Sequence, residues 1–207
     1  PQEVQRNVSA ATKISQKNVT VHVPLIGGGF GRRLQSDYAV EAAQVSQVIQ
    51  APIQVFWTRD DDLQHDYYHE MSIHYASGSL PAAKMRRMQT KGGSGVPTGA
   101  WRSVGNFTEA FPTQCFIDEM AAATQRDPLD LRLEMYKGRA AGVIRLAAEK
   151  AGWGEALPVG WGRGLAYHAT FGVTHVAQVA EVSVDSNGNV RVQRVICAVD
   201  CGKVVNP

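Results

Sequence analysis

Four glycines around one aromatic ring constrain this chain more than anything else in it: Leu25-Ile26-Gly27-Gly28-Gly29-Phe30-Gly31-Arg32-Arg33. Glycine gives up more backbone freedom on folding than any other residue, so such a cluster is costly in an ordinary helix or strand. It fits backbone that runs close to something else or adopts positive φ. The apolar run Val19–Val23 precedes it, and a helical pattern over Asp37–Gln50 follows. Two readings stay open on the residues alone: a strand-to-helix connection, or a loop that touches a ligand. The phosphate-loop pattern is absent, because no Gly-Lys-Ser/Thr follows, and the spacing is a poor dinucleotide fingerprint.

The alternation of Val19–Val23 predicts a strand limited by Pro24, and the compact Ile53–Trp57 run predicts a second. Between them, Tyr38, Ala42, Val45 and Ile49 recur at helical spacing, with Ser36 or Asp37 as cap. Residues 1–18 are polar without a clean period and read as an irregular lead-in. Thr58-Arg59-Asp60-Asp61-Asp62 reads as a solvated acidic loop, lacking the ligand spacing of a calcium or magnesium site. His65, His69 and Glu70 are not in the zinc-protease order. Met71–Ala76 alternates as a strand, Ala76–Ser79 turns the chain, and Lys84–Met88 returns it.

Beyond a Gly/Ser/Pro-rich loop, the Trp101-Arg102 pair is bracketed by Gly99 and Gly105. Arg102 is a natural fork for carboxylate or phosphate oxygens, or else a structural arginine satisfying loop carbonyls. Three helices follow: Thr113–Gln125, a second started by Asp127 as cap with Pro128 in its first turn, and Ala140–Ala151 closed by Gly152. The rest reads as β: Gly162–Phe171, Val176–Val184, the turn Asp185–Asn189, and Val190–Val199. The expected class is α+β, a layered α/β fragment with a helical layer and a C-terminal antiparallel hairpin.

Composition narrows the function classes. A net charge of +2 is too small to argue for nucleic acid, and no run of about 20 apolar residues offers a membrane span. Three cysteines, Cys115, Cys197 and Cys201, are too few for a disulfide framework and do not read as a zinc site. The last two are expected to be a core thiol and a loop thiol.

The Gly27–Arg33 segment resembles the Gly-Gly-Phe-Gly loop of the molybdopterin-containing hydroxylases, the xanthine dehydrogenase and aldehyde oxidase family. Its Arg-Arg ending resembles the branch with the isoquinoline 1-oxidoreductase beta subunit and bacterial aldehyde dehydrogenases. Thr58–Asp62, Gly99–Gly105, and the stretch from Gly164 to Pro207 resemble further family segments, in family order. The resemblance implies a first molybdopterin-binding region over 1–160 and the truncated opening of a second over 161–207.

It also implies an oxidoreductase that oxidises an N-heterocycle or aldehyde with oxygen drawn from water. A molybdenum-pterin cofactor, in some members a cytosine dinucleotide, would be held by the full protein, and an iron–sulfur subunit or domain would remove electrons. Gly28, Gly29, Phe30 and Gly31 match the cofactor loop, and Arg102 matches an arginine that orients substrate or stabilises charge. Leu34 stands where purine hydroxylases carry an acidic residue. The family's general-base glutamate is expected beyond Pro207, since Glu41, Glu70, Glu109 and Glu119 do not match it, so the isolated chain is expected to be inactive and to hold no cofactor. Two other classes remain: a non-catalytic scaffold module, and an anion- or nucleotide-binding domain using Arg32, Arg33 and the glycine loop.

Overall fold

The computed structural model describes residues 1–69, 71–79, 82–89, 95–100 and 102–205; Glu70 and Trp101 lie outside the described residues. The chain packs as two compact units. The first comprises residues 1–72 and 89–104. The second comprises residues 73–88 and 105–207.

The first unit holds three helices: α1 (Gln2–Thr12), α2 (Asp37–Ile49) and α3 (Arg59–Gln64). α1 replaces the expected irregular lead-in. It buries Val8 and Thr12, which lie four apart and share one face, with Val4 and Ala11 half-buried at helical spacing beside them, a narrow stripe in an otherwise mostly polar run. Gln47 of α2 donates to the Thr12 carbonyl at 2.9 Å and ties the two helices together. α3 replaces the expected acidic loop. The Thr58 hydroxyl accepts from the Asp61 N–H at 3.2 Å, while the Asp61 carboxylate accepts from the Thr58 N–H at 2.9 Å. That reciprocal capping box satisfies two orphan donors and starts a helix in a sequence with little apolar content. Neither 19–23 nor 53–57 forms a strand. Both carry β-type residues, but a strand needs a neighbour to complete its ladder, and none pairs with them among the described residues.

β1 (Ser72–Ser79) and β2 (Ala82–Gln89), all but their end residues 72 and 89 in the second unit, form a two-stranded sheet. α4 (Gly105–Ala123) starts eight residues before its expected boundary and runs through Pro112. Proline removes one helical hydrogen bond and normally marks an end; here all buried positions of α4 (Gln114, Ile117, Met120, Ala121) lie beyond it. Asp127 caps α5 (Pro128–Met135), accepting from the Leu129 N–H at 2.7 Å. α6 (Gly138–Ala151) ends at Gly152 in the left-handed conformation, as its sequence predicts.

The expected C-terminal hairpin is one half of a three-stranded antiparallel sheet, β3 (Trp161–Thr170), β4 (Thr174–Val184) and β5 (Val190–Asp200), in the order β3-β4-β5. Leu165 pairs with Val179 and Val179 with Ile196; Tyr167 pairs with Ala177 and Ala177 with Ala198. These residues line one face, and α6 lays Ala140, Val143, Ile144, Ala147 and Ala151 onto it. The alanines let the helix backbone approach the sheet closely. Glu181, on the same face, is buried between Arg163 (2.7 Å) and Arg194 (2.8 Å). Those arginines also donate to the Gly152 and Ala151 carbonyls at the end of α6, so one ionic cluster closes both sheet and helix. Cys197 is exposed on β5, not a core thiol, because its register places it on the face away from α6. Trp161, the expected start of a second region, is the first residue of β3.

Candidate functional site

The glycine loop lies in the first unit between an extended segment and a short 3-10 turn, Arg32–Leu34. Its conformation explains two of the four glycines. Gly31 has φ +91°, and Gly28 has φ +154° with the Phe30 ring at 3.0 Å from where a Cβ would stand. Both are costly for any residue with a side chain. Phe30 itself sits at φ +50°, a left-handed setting uncommon for a bulky side chain. Nothing comparable constrains Gly27 or Gly29. A Cβ at Gly27 meets open space, and one at Gly29 would touch Arg33 at an ordinary 3.4 Å. None of the N–H groups from Gly27 to Gly31 donates a hydrogen bond among the described residues. The loop therefore offers a run of unspent donors suited to oxygen-rich or anionic groups.

Arg102 reaches this loop from the other end of the unit. Its guanidinium lies 5.4 Å from the centre of the Phe30 ring, at cation–π distance. Ser103 and Val104, which follow, both have positive φ, 60° and 51°. The segment that carries Arg102 is thus as conformationally unusual as the loop it meets, a pattern that recurs where structure holds residues for a task.

Arg32 and Arg33, adjacent in sequence, part company. Arg32 is buried, with Nη1 and Nη2 donating to Asp37 at 3.0 and 2.9 Å and Nε 3.3 Å from Asp62. Its guanidinium is 5.3 Å from the Trp57 ring and 5.5 Å from that of Tyr67. Burial works to lower its pKa, but the Asp37 hydrogen bonds and the charges of Asp37 and Asp62 outweigh it and raise the value. Burial likewise pushes the Asp37 carboxyl up, and the bonds from Arg32 and the Tyr38 N–H win, holding it below the ordinary aspartate value. Arg33 is half exposed and stacks 5.5 Å from Tyr38. It borders a groove of about 440 Å³ with Tyr38, Phe56, Trp57, Arg59 and Asp62.

Glu41 accepts the Trp57 indole N–H at 2.8 Å, while Glu109 and Glu119 are exposed in the other unit. No group of three or more His, Cys, Asp or Glu residues that could hold a metal ion occurs among the described residues. No helix among them is long and apolar enough to cross a membrane. Sequence reasoning grouped Arg32 with Arg33 as free cations and missed the first one's burial. The signal was within reach: an aspartate five residues on, and aromatic residues at 57 and 67.

Residues 1–92 match the molybdopterin cofactor-binding domain family, a span that contains the glycine loop but not Arg102. Curated relatives include a membrane-bound aldehyde dehydrogenase [pyrroloquinoline-quinone] of Gluconacetobacter polyoxogenes, 28% identical over 97% of this chain and 35% of the relative. The beta subunit of isoquinoline 1-oxidoreductase of Brevundimonas diminuta is 27% identical over 94% of this chain and 31% of the relative. A nicotinate dehydrogenase subunit of Pseudomonas putida is 35% identical over 51% of this chain and 10% of the relative. The chain thus spans about a third of the length of the first two. No solved structure gives a significant match. Loop, helix α2 and the acid-rich α3 all fall inside the matched span, and on these likenesses the chain resembles a molybdopterin cofactor-binding domain, with relatives that are oxidoreductases by name.

Proposed function

We propose that this chain is the cofactor-facing part of a molybdenum-binding oxidoreductase subunit whose substrate is an N-heterocycle or an aldehyde. The observation that carries the reading is the meeting of Phe30 and Arg102 at 5.4 Å across some 70 residues of sequence, beside a loop whose N–H groups are unspent. When bound, a molybdenum-pterin would supply hydroxylation with oxygen taken from water. Gly28, Gly29, Phe30 and Gly31 would present backbone donors to its oxygens. Arg102 would orient the substrate or stabilise charge that develops on it. Leu34, on the short turn after the loop, gives an apolar contact where an acidic side chain would favour a purine. Residues 1–160 and 161–207 are read as two successive cofactor-binding regions, and an iron–sulfur subunit or domain as the electron outlet. The general base is assigned to a glutamate outside these 207 residues.

The quinone in the name of the Gluconacetobacter relative favours a second reading, in which the same loop meets a quinone cofactor. One experiment separates the two and tests both. The full-length subunit is prepared with its iron–sulfur partner, as wild type and as Gly29→Val, and assayed for molybdenum content and for turnover of an aldehyde and an N-heterocycle. Wild type should hold molybdenum. Gly29→Val should fold, because a Cβ there meets nothing nearer than 3.4 Å, yet lose turnover on the order of 100-fold, the cost of a misplacement of about 1 Å. Wild-type molybdenum content and turnover in the variant would sink the loop assignment; a quinone without molybdenum in the wild type would replace the first reading with the second.

A further inference from the structure

We infer that Arg32 is a positioning residue: it closes a ring of contacts that holds the Gly27–Gly31 loop and the segment leading to Arg102 in one arrangement. The inference rests on the reading of those two segments as the site. The contacts run from residue to residue. Arg32 is bonded directly to Gly31, and its guanidinium lies 5.3 Å from the Trp57 ring centre and 5.5 Å from that of Tyr67. The Tyr67 hydroxyl donates to the same Asp37 carboxylate that Arg32 grips, at 3.3 Å. Gly99 is packed against Tyr67 so tightly that a Cβ there would stand 2.8 Å from the Tyr67 Cβ. Tyr68, which follows Tyr67, donates its N–H to the Pro97 carbonyl at 3.0 Å and accepts the Gly99 N–H at 3.1 Å. Three residues past Gly99, Arg102 returns to Phe30 and the ring closes.

Each link suits arginine in particular. A lysine at 32 would keep the charge but could neither grip Asp37 with two parallel bonds nor offer a planar cation to the Trp57 and Tyr67 rings. The buried Arg32 charge is met by the carboxylates of Asp37 and Asp62, although its Nε and the Asp62 Oδ1, 3.3 Å apart, make no hydrogen bond. The Phe30–Arg102 spacing is then set through Asp37, Tyr67 and Gly99 by a residue that adjoins the loop.

Hydrogen exchange on the full chain tests this, with amides that report on both ends of the ring. Leu34 and Gln35, bonded to the Gly31 and Arg32 carbonyls, report on the loop; Tyr68 and Gly99 report on the distant segment. Arg32→Lys and, separately, Tyr67→Leu should each accelerate both sets together by at least about tenfold, while β4 amides keep wild-type rates. In the cofactor-loaded full-length protein the same variants should lower kcat by a similar factor with KM little changed. Gly99 exchanging at the wild-type rate in both variants would overturn the inference, as would coupled loosening with unchanged kcat. If Arg32→Lys also frees the α1 and α2 amides, the unit has unfolded, and Tyr67→Leu, which leaves the Arg32–Asp37 pair intact, decides by the same criterion. A wild type without molybdenum would overturn the functional reading while leaving the exchange result standing.

Discussion

The two units are held together by different physics. In the second, α6 meets the β3-β4-β5 sheet through side chains that water does not reach: Ile144, Ala147, Ala177 and Val179 are all 0% exposed. In the first, the buried side chains among the described residues are Val8, Thr12, Arg32 and Ser36, and three of the four are polar or charged. Apolar burial is non-directional and tolerates small shifts. An ion pair gripped at two points, with two aromatic rings at cation–π distance, does not. The unit that bears the glycine loop is therefore fixed by geometry more than by core volume, which suits a site whose parts must be placed to within a fraction of an ångström.

The largest expected effect is on the core side of this contrast. Ile144→Ala removes a fully buried side chain from the α6–sheet interface and should cost about 2–5 kcal/mol. Val45→Ala in α2, already 38% exposed, should cost under about 1 kcal/mol. Urea unfolding followed by far-UV circular dichroism checks both. Equal losses would mean that the first unit has a core of the same kind as the second.

The same contrast explains what the sequence disclosed. Asp127-Pro128, Gly152, the Gly-rich run of β3, the Asp185–Asn189 turn and the alternation of β4 and β5 are local signals, and each element stands within about two residues of where they put it. The lost strands at 19–23 and 53–57 have the right residues but no partner, and pairing is not a local property. Proline at 112 obeys a local rule that α4 overrides through packing beyond it. The capping box at Thr58 is written in the sequence as Thr-x-x-Asp, within a run of three aspartates that also reads as a solvated loop. In the candidate site, the composition pointed to the unusual backbone of the glycine loop, and the resemblance singled out Arg102. Their meeting was not legible, nor was the different fate of two neighbouring arginines, because both depend on which aromatic rings and carboxylates the fold brings alongside.

A sharper comparison comes from within the loop. Gly31→Ala places a side chain at φ +91° and should cost about 1–2 kcal/mol in the first unit, while Gly29→Ala, with no such constraint, should be close to neutral. Thermal melts monitored by tryptophan fluorescence, to which Trp57 contributes from beside Arg32, would read the difference. Equal shifts for the two variants would mean that the positive φ at Gly31 carries no strain.

The smallest effect is expected from acid, and its sign follows from which carboxylates are depressed. Asp37 is held below its ordinary value because Arg32 and the Tyr38 N–H outweigh burial. Glu181 is held below its own by hydrogen bonds from Arg194 first and Arg163 second. A group with a depressed folded pKa binds more protons when unfolded, so its contribution is complete above the unfolded value and disappears as pH falls through the folded one. Both units should thus keep constant stability down to the ordinary carboxylate range and lose some below it. The Asp37 side chain is 30% exposed, and screening keeps its contribution modest. The order of loss is what separates the units. With little apolar burial in reserve, the first should respond before the second, so a change in Trp57 fluorescence should precede loss of the sheet's circular dichroism as pH is lowered. Sheet signal lost first, or both lost together, would mean that the Glu181 cluster carries more of the second unit than its apolar core does.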